Sequence, residues 1–524
     1  MATSTNMDRI LLVILCFLTC NVCLPSVASP DSFLQCLSAT VPSELVFQQS
    51  SSSFMSVLES SVQNPKYLTN TTVRPLCIVT ASDVSHVQAA VRCGRANAVR
   101  LRIRSGGHDY EGLSYRSVQP EPFAVLDLAR LRAVDVNPFE ATAWVGAGAT
   151  LGELYYAIGT ASPNLAFPGG ACPTVGVSGF LSGGGIGLMM RRFGVGADSV
   201  IDARVVNANG DVIDGVAAAD PDLFWAIRGG GGESFGVVVA WRLRLSMVAD
   251  TVTVVNLERG LDGGATALVA KWETLILQPS MPTELSIRVV VQDRHAFFQT
   301  LFLGRCAQLL RTMRAAFPEL GMAPGDCQEM PWLRAMAFIA LGGDATAPPE
   351  ALLNRTNNLG TYVKNKSDYV RRAIGTAGWE GIFRDQLSRY GPGLMILEPH
   401  GGAVQDFDTP YPHRRGVLYN VQYVVFWGGE ANGTAAAAAT GWLGELYGYM
   451  ERFVTSNPRE AFANYRDLEI GENAVGAHGV TTYESGRVWG EKYFMGNFQR
   501  LAVVKGRVDP GDYFRNEQSI PPLL

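Results

Sequence analysis

Short apolar runs bounded by Gly, Pro, Asn and Asp alternate with stretches of helical period through the first half of the chain. Residues 73–80 predict a strand, 84–95 a helix and 98–104 a strand, with further strands at 123–128 and 141–145. Thr150 and Glu153 form a capping box, in which each side chain satisfies the other residue's backbone N–H, and they open a helix through Ile158 that ends near Gly159. Apolar runs at 200–206 and 212–214 flank Asn209-Gly210, a pair suited to a type I′ hairpin turn. Residues 237–245 predict a strand, and a boundary falls at 246–250.

Beyond the boundary the order changes to a strand from Thr251, a helix at 265–277, a strand at 284–292 and a helix at 307–317. Loops rich in Gly, Pro and Asn fill 341–366, a strand spans 417–427 and an amphipathic helix 441–454, with the alanine run 435–439 as filler before it. This second part predicts an antiparallel-leaning α+β domain. The aromatic tail from Tyr483 ends in Ile520-Pro-Pro-Leu-Leu, which looks exposed.

Residues 167–187 read FPGGACPTVGVSGFLSGGGIG, with eight glycines, one cysteine and no charge. Glycine at this density brings bare N–H groups close to a ligand, and such concave backbone favours anions such as a pyrophosphate. By composition alone a glycine-rich surface loop is the commoner reading. A second stretch, RIRSGGHDYEG at 102–112, follows an apolar strand-like run and carries one histidine. His108 and Cys172 together can anchor one flavin. Gly146-Ala147-Gly148 imitates the dinucleotide fingerprint, but Leu151 stands at the third glycine's position and Ala166 where an acidic ribose ligand belongs, so these are structural glycines of a turn.

These stretches resemble the berberine bridge enzyme-like family of plant FAD-linked oxidases. The likeness is carried by RSGGHDYEG at 104–112, CPTVGV at 172–177, RGGGGESFGVV at 228–238, PHRRGVLYNVQY at 412–423, NYRDLEIG at 464–471 and DYFRNEQSIPP at 512–522. LGELYYAI, FPELGM and NPREAFANYRD are most similar to the grass-pollen group-four allergens within that family. The resemblance implies an α+β fold: a vanillyl-alcohol-oxidase-type (PCMH) FAD-binding domain plus a substrate domain with an antiparallel sheet. On that pattern 1–28 is a signal, 29–69 a lead-in, 70–248 the FAD domain, 249–456 the substrate domain, and 457–524 a segment returning to the FAD domain.

It further implies FAD attached twice, through His108 and Cys172, and cradled by Arg104, Ser105, Gly106, Gly107, Val175, Gly176, Gly179, Gly183, Gly184, Gly236 and Val237. Tyr465 and Tyr110 match tyrosines of the family pocket, and Arg288 an arginine that favours a tyrosinate. Gln422 stands where some members carry a catalytic glutamate; an amide can orient a hydroxyl but cannot take its proton. Tyr465 is then the remaining proton acceptor. Val175 occupies the family's oxygen gate, where valine goes with oxidases. Three departures set this chain apart: Ile186 replaces an aromatic, Phe180 a histidine, and Asn420 a lysine. The expected activity is oxidation of an alcohol or carbohydrate hydroxyl with dioxygen as acceptor and hydrogen peroxide as product. The alternative is a flavin-holding protein with little catalysis.

Charge and cysteines narrow the setting. A net charge of -5 and a pI near 5.8 give no general basic surface for nucleic acid. Arg9, the apolar run 10–18 and Ser26-Val27-Ala28 have the layout of a cleaved secretory leader, and no later run reaches the roughly 20 residues of a membrane span. A secreted, extracellular or cell-wall monomer is expected. Sequons at Asn70, Asn354, Asn365 and Asn432 fit that route. The resemblance pairs Cys36 with Cys93 and Cys306 with Cys327, leaving Cys77 as a lone buried thiol. A Gly-x-Ser-x-Gly at Ser234 is a poor hydrolase elbow, because a strand and not a helix follows it.

Overall fold

The computed structural model describes residues 30–118, 120–356, 360–477 and 479–524; the leader expected at 1–28 lies outside them. Cys77–Thr80, Phe123–Asp127 and Arg100–Arg104 pair in parallel, with Val46–Gln48 antiparallel at the edge. Phe123–Asp127 is buried along its length, as a central parallel strand covered on both faces must be. The helix Val84–Ala96 packs on this sheet and is tied to the helix Pro30–Leu37 by the Cys36–Cys93 disulfide.

A second, five-stranded antiparallel sheet has the order Val134–Asn137, Thr142–Gly146, Val237–Arg244, Val200–Val206, Val212–Ile213. The hairpin at Asn209-Gly210 forms, but not with a type I′ turn. Only Gly210 has positive φ; Gly210 N–H donates to Asn207 and Asn207 N–H to Asp211, giving a three-residue loop. The capping box at Thr150 and Glu153 is present, yet its helix runs Leu151–Ala161 through Gly159. A Cβ at Gly159 would stand 2.6 Å from Leu333, so this glycine admits a neighbouring helix and does not stop its own.

The second part is built on a seven-stranded antiparallel sheet ordered Gln328–Met330, Val252–Gly260, His295–Phe302, Leu285–Gln292, Gly393–Pro399, Tyr419–Trp427, Tyr362–Val370. Alternation assigns its faces. Ile287, Val289, Val291, Met395, Leu397, Val421 and Tyr423 join a core with the helices Ala265–Leu275, Gly375–Asp385 and Thr434–Met450, whereas Arg288, Ile396, Glu398 and Gln422 face the other way.

Several expectations are corrected. The strands His295–Phe302 and Gly393–Pro399 and the helices Trp332–Ala340 and Gly375–Asp385 were not predicted. Phe297, Phe298, Leu301 and Phe302 put apolar groups on both faces and blur the two-residue period. The alanine run is the first part of the helix Thr434–Met450, not filler. The loop expected to reach 366 gives way to the strand Tyr362–Val370, in which Asn365 is fully buried; a glycan there would have to enter the sheet, so this sequon is excluded. Asn70, Asn354 and Asn432 are exposed. Of Ile520-Pro-Pro-Leu-Leu only Leu524 is exposed: Ile520 is 1% accessible and its N–H donates to the Ser234 hydroxyl. Cys306 is bonded to Cys327, and Cys77 is a buried free thiol pushed up to about 12 by burial.

Candidate active site

A cleft of about 340 Å³ runs between the first part of the chain, the flat face of the seven-stranded sheet and the C-terminal segment. Two loops meet at its floor because glycine lets them touch. A Cβ on Gly106 would come within 2.3 Å of Gly176 N, and one on Gly176 within 2.4 Å of Gly106 N. This contact closes the histidine turn against the cysteine loop, and His108 and Cys172 both line the cleft. Gly107, at φ +67°, has its missing Cβ directed at the Ser61 carbonyl, so no side chain fits there.

His108 Nε2 lies 2.6 Å from the Thr174 hydroxyl, and burial lowers its pKa to about 3. The ring is therefore neutral, with an unprotonated nitrogen. The Cys172 thiol is accessible from the cleft; the surrounding protein raises its pKa by burial, Arg288 works against that, and Glu398 adds to it. Gly179 is exposed with nothing within 4 Å of a would-be Cβ, so bare backbone lines that stretch. Paired nucleophiles on bare, glycine-lined backbone in a long cleft are a set of residues that fits a flavin dinucleotide.

Of the residues expected to cradle FAD, Ser105, Gly106, Gly107, Val175, Gly176, Gly179, Gly183 and Gly236 line the cleft. Three predicted cradle residues do not. Arg104 gives its guanidinium to Asp127 and to the Val57 and Leu58 carbonyls, Gly184 lies under Tyr411, and Val237 points into the core of the parallel sheet. Ser234 does not line the cleft, and its hydroxyl serves the tail, which removes the hydrolase reading.

The four predicted chemical residues come together. Gln422 donates to the Tyr110 hydroxyl at 2.9 Å, and Tyr110 and Tyr465 meet edge to face at 6.3 Å. Burial, with Cys172 adding, pushes Tyr110 up to about 12. Burial raises Tyr465 well above its ordinary value, with Glu398, Tyr110 and Cys172 adding to it and Arg288 opposing least. Arg288 is engaged elsewhere: its Nε donates to Gln299 at 2.8 Å and its Nη1 to Glu398 at 3.3 Å. Ile186 and Phe180 face the cleft; Asn420 lies fully buried and donates to the Asp368 carbonyl.

Sequence reasoning missed Glu398, Arg466 and Glu233. Arg466 bonds Glu233 at 2.8 Å and the Gln518 carbonyl at 3.1 Å, joining the C-terminal segment to the loop after Gly231. The signal for Glu398 was legible: in GLMILEPH it is the one charge, at an alternate position to Met395 and Leu397 of an apolar strand.

Residues 75–215 match the FAD binding domain family and 461–521 the berberine and berberine-like family. The berberine bridge enzyme-like Cyn d 4 of Cynodon dactylon is 51% identical over 495 residues, covering 94% of this chain and 93% of that protein. The chain belongs to the berberine bridge enzyme-like family. Among solved members of that family, wild-type Phl p 4.0202, described as a glucose dehydrogenase, superposes at a TM-score of 0.90 with 49% identity, covering 94% of this chain and 99% of that one. An isoleucine-to-valine variant of Phl p 4 described as a glucose oxidase matches at the same score and identity, over 94% and 99%. Family membership makes this chain an FAD-linked oxidoreductase acting on CH–OH groups of α+β, PCMH-type fold, and the cleft is where its residues would hold the FAD.

Proposed function

We propose that the chain oxidises a sugar hemiacetal or similar secondary alcohol, using FAD attached through both His108 and Cys172. The observation that carries this reading is that a neutral histidine and an accessible thiol both line one glycine-lined cleft. When bound there, FAD supplies a two-electron oxidant. The chain's own side chains handle the hydroxyl. The Gln422 amide fixes the Tyr110 phenol, Tyr110 and Tyr465 present two O–H groups to the substrate oxygen, and Arg288 places a positive charge beside them.

Sugars come first among substrates because the solved relatives Phl p 4 are described by glucose chemistry; phenolic allyl alcohols come next. Val175 in the cleft supports dioxygen as acceptor, in keeping with the description of a valine variant of Phl p 4 as an oxidase. Secretion as a glycoprotein is supported by the apolar leader, two disulfides and the exposed sequons at Asn70, Asn354 and Asn432. No helix among the described residues is long and apolar enough to cross a membrane. The division into 70–248 plus tail and 249–456 follows the change from the first two sheets to the seven-stranded one.

A second reading, a flavin-holding protein with little turnover, is favoured by one observation: apolar Ile186 and Phe180 stand in the cleft at positions where the family resemblance implies an aromatic and a histidine. Anaerobic mixing of the holoenzyme with a panel of aldoses, oligosaccharides and allylic alcohols separates the two. Bleaching of the flavin by a sugar is the expected outcome; an unbleached spectrum across the panel hands the protein to the second reading.

A further inference from the structure

Arg288, the cation expected to favour a tyrosinate, is held by a carboxylate. Arg288 on Leu285–Gln292 reaches Glu398 on the neighbouring strand Gly393–Pro399, with Nη1 3.3 Å from Oε1. Glu398 is 5% accessible, lines the cleft, and its second oxygen, Oε2, is buried with no hydrogen-bond partner. A buried carboxylate oxygen left without a donor costs about 1–3 kcal/mol or more, so such an atom beside a cleft is a place for a ligand's O–H.

We propose that Glu398 is the proton acceptor of this active site, and that its Oε2 binds the reacting hydroxyl of the substrate. This rests on the alcohol-oxidising reading above. The hydroxyl O–H bond breaks with its proton passing to Glu398 Oε2. The electron pair left on oxygen becomes the second bond of the carbonyl, and the hydride leaving carbon would be taken up by the two-electron oxidant that FAD supplies when held in the cleft. Tyr465 and Tyr110 then act as donors that hold the hydroxyl, the form in which their raised pKa values keep them.

The surroundings of Glu398 agree. Arg288 faces it from one strand, Tyr465 from the C-terminal segment, and Cys172 lies across the cleft; Asn420, opposite it on Tyr419–Trp427, and Gln299, beyond Arg288 on His295–Phe302, are uncharged amides. His400 bonds the Glu398 main-chain carbonyl through Nδ1 and the Tyr411 hydroxyl through Nε2, and burial keeps that ring neutral. Burial raises the Glu398 pKa above its ordinary 4.5, and Arg288 opposes the rise, so the acid must be ionised to work and the rate should fall as pH drops through a value above 4.5.

The test compares flavin-loaded wild type, Glu398→Gln, Glu398→Asp and Tyr465→Phe. Anaerobic flavin bleaching is followed with D-glucose, or whichever sugar or alcohol of the panel bleaches the wild type, and calorimetry follows binding of the same compound to holoenzyme whose flavin is already reduced and so cannot oxidise it, both across the acid range. Glu398→Gln should retain covalent flavin, lose the acid limb of the bleaching profile and slow bleaching by about 10²–10⁴. Its affinity for that compound should lose the pH dependence seen in the wild type. Glu398→Asp should restore an acid limb, and Tyr465→Phe should keep it. An unchanged acid limb in Glu398→Gln, or its loss in Tyr465→Phe, overturns the assignment while leaving the oxidase reading intact. A wild type that none of the panel bleaches overturns both.

Discussion

At the scale of single residues, the two anchors are the most exposed to test. His108→Ala and Cys172→Ala should each keep flavin bound to denatured protein through the remaining link, visible as in-gel flavin fluorescence, and the double variant should release all of it. Val175 carries a separate prediction. Leucine there adds a methylene in the cleft, so Val175→Leu should slow reoxidation by dioxygen about tenfold, a barrier change of ~1.4 kcal/mol, while anaerobic reduction is nearly unchanged in stopped flow. Equal reoxidation rates would dismiss the gate. Most of this site was legible in the sequence, because short motifs around His108, Cys172, Gln422 and Tyr465 carry it. Arg104 was misread for a physical reason: the motif fixes its place beside the histidine turn but not the direction of its side chain, which Asp127 captures. Glu398 was legible as the one charge of its strand, but its pairing with Arg288, 110 residues away, is made only by the sheet register.

At the scale of elements, the C-terminal tail closes one end of the cleft. Glu517, fully buried, accepts from Arg102, from Val118 N–H and from the Ser117 hydroxyl, and Phe514, Arg515 and Asn516 line the cleft beside it. Glu517→Ala leaves the buried Arg102 charge without its partner and should cost about 3–5 kcal/mol, read as a drop in denaturation midpoint. A midpoint equal to wild type would show the latch to be idle. The tail looked exposed in sequence because Ile-Pro-Pro-Leu-Leu has no period to read, and its burial depends on Ser234 some 286 residues earlier. Local signals fared better: the capping box at Thr150 formed as written, whereas the strand His295–Phe302 was hidden by apolar residues on both its faces.

At the scale of the whole molecule, one buried charge cluster ties the histidine turn, the seven-stranded sheet and the C-terminal segment together. Lys364 lies 2.8 Å from Asp467 and is also bonded to Glu111, and Lys366 lies 2.8 Å from Asp467. Burial opposes the Asp467 charge, but Lys364 and Lys366 hold its pKa below the ordinary 3.8. Its contribution to stability is therefore present above that value and lost as pH falls through the lower, folded-state value. Asp467→Asn should destabilise the neutral protein by about 3–5 kcal/mol and flatten the acid end of the stability curve; a midpoint and acid limb like those of wild type would contradict this. The central claim, one flavin held by both loops of one cleft, is tested most directly by acid precipitation of the purified holoprotein. Yellow protein in the pellet with a colourless supernatant is the predicted result; flavin released entirely into the supernatant would contradict it.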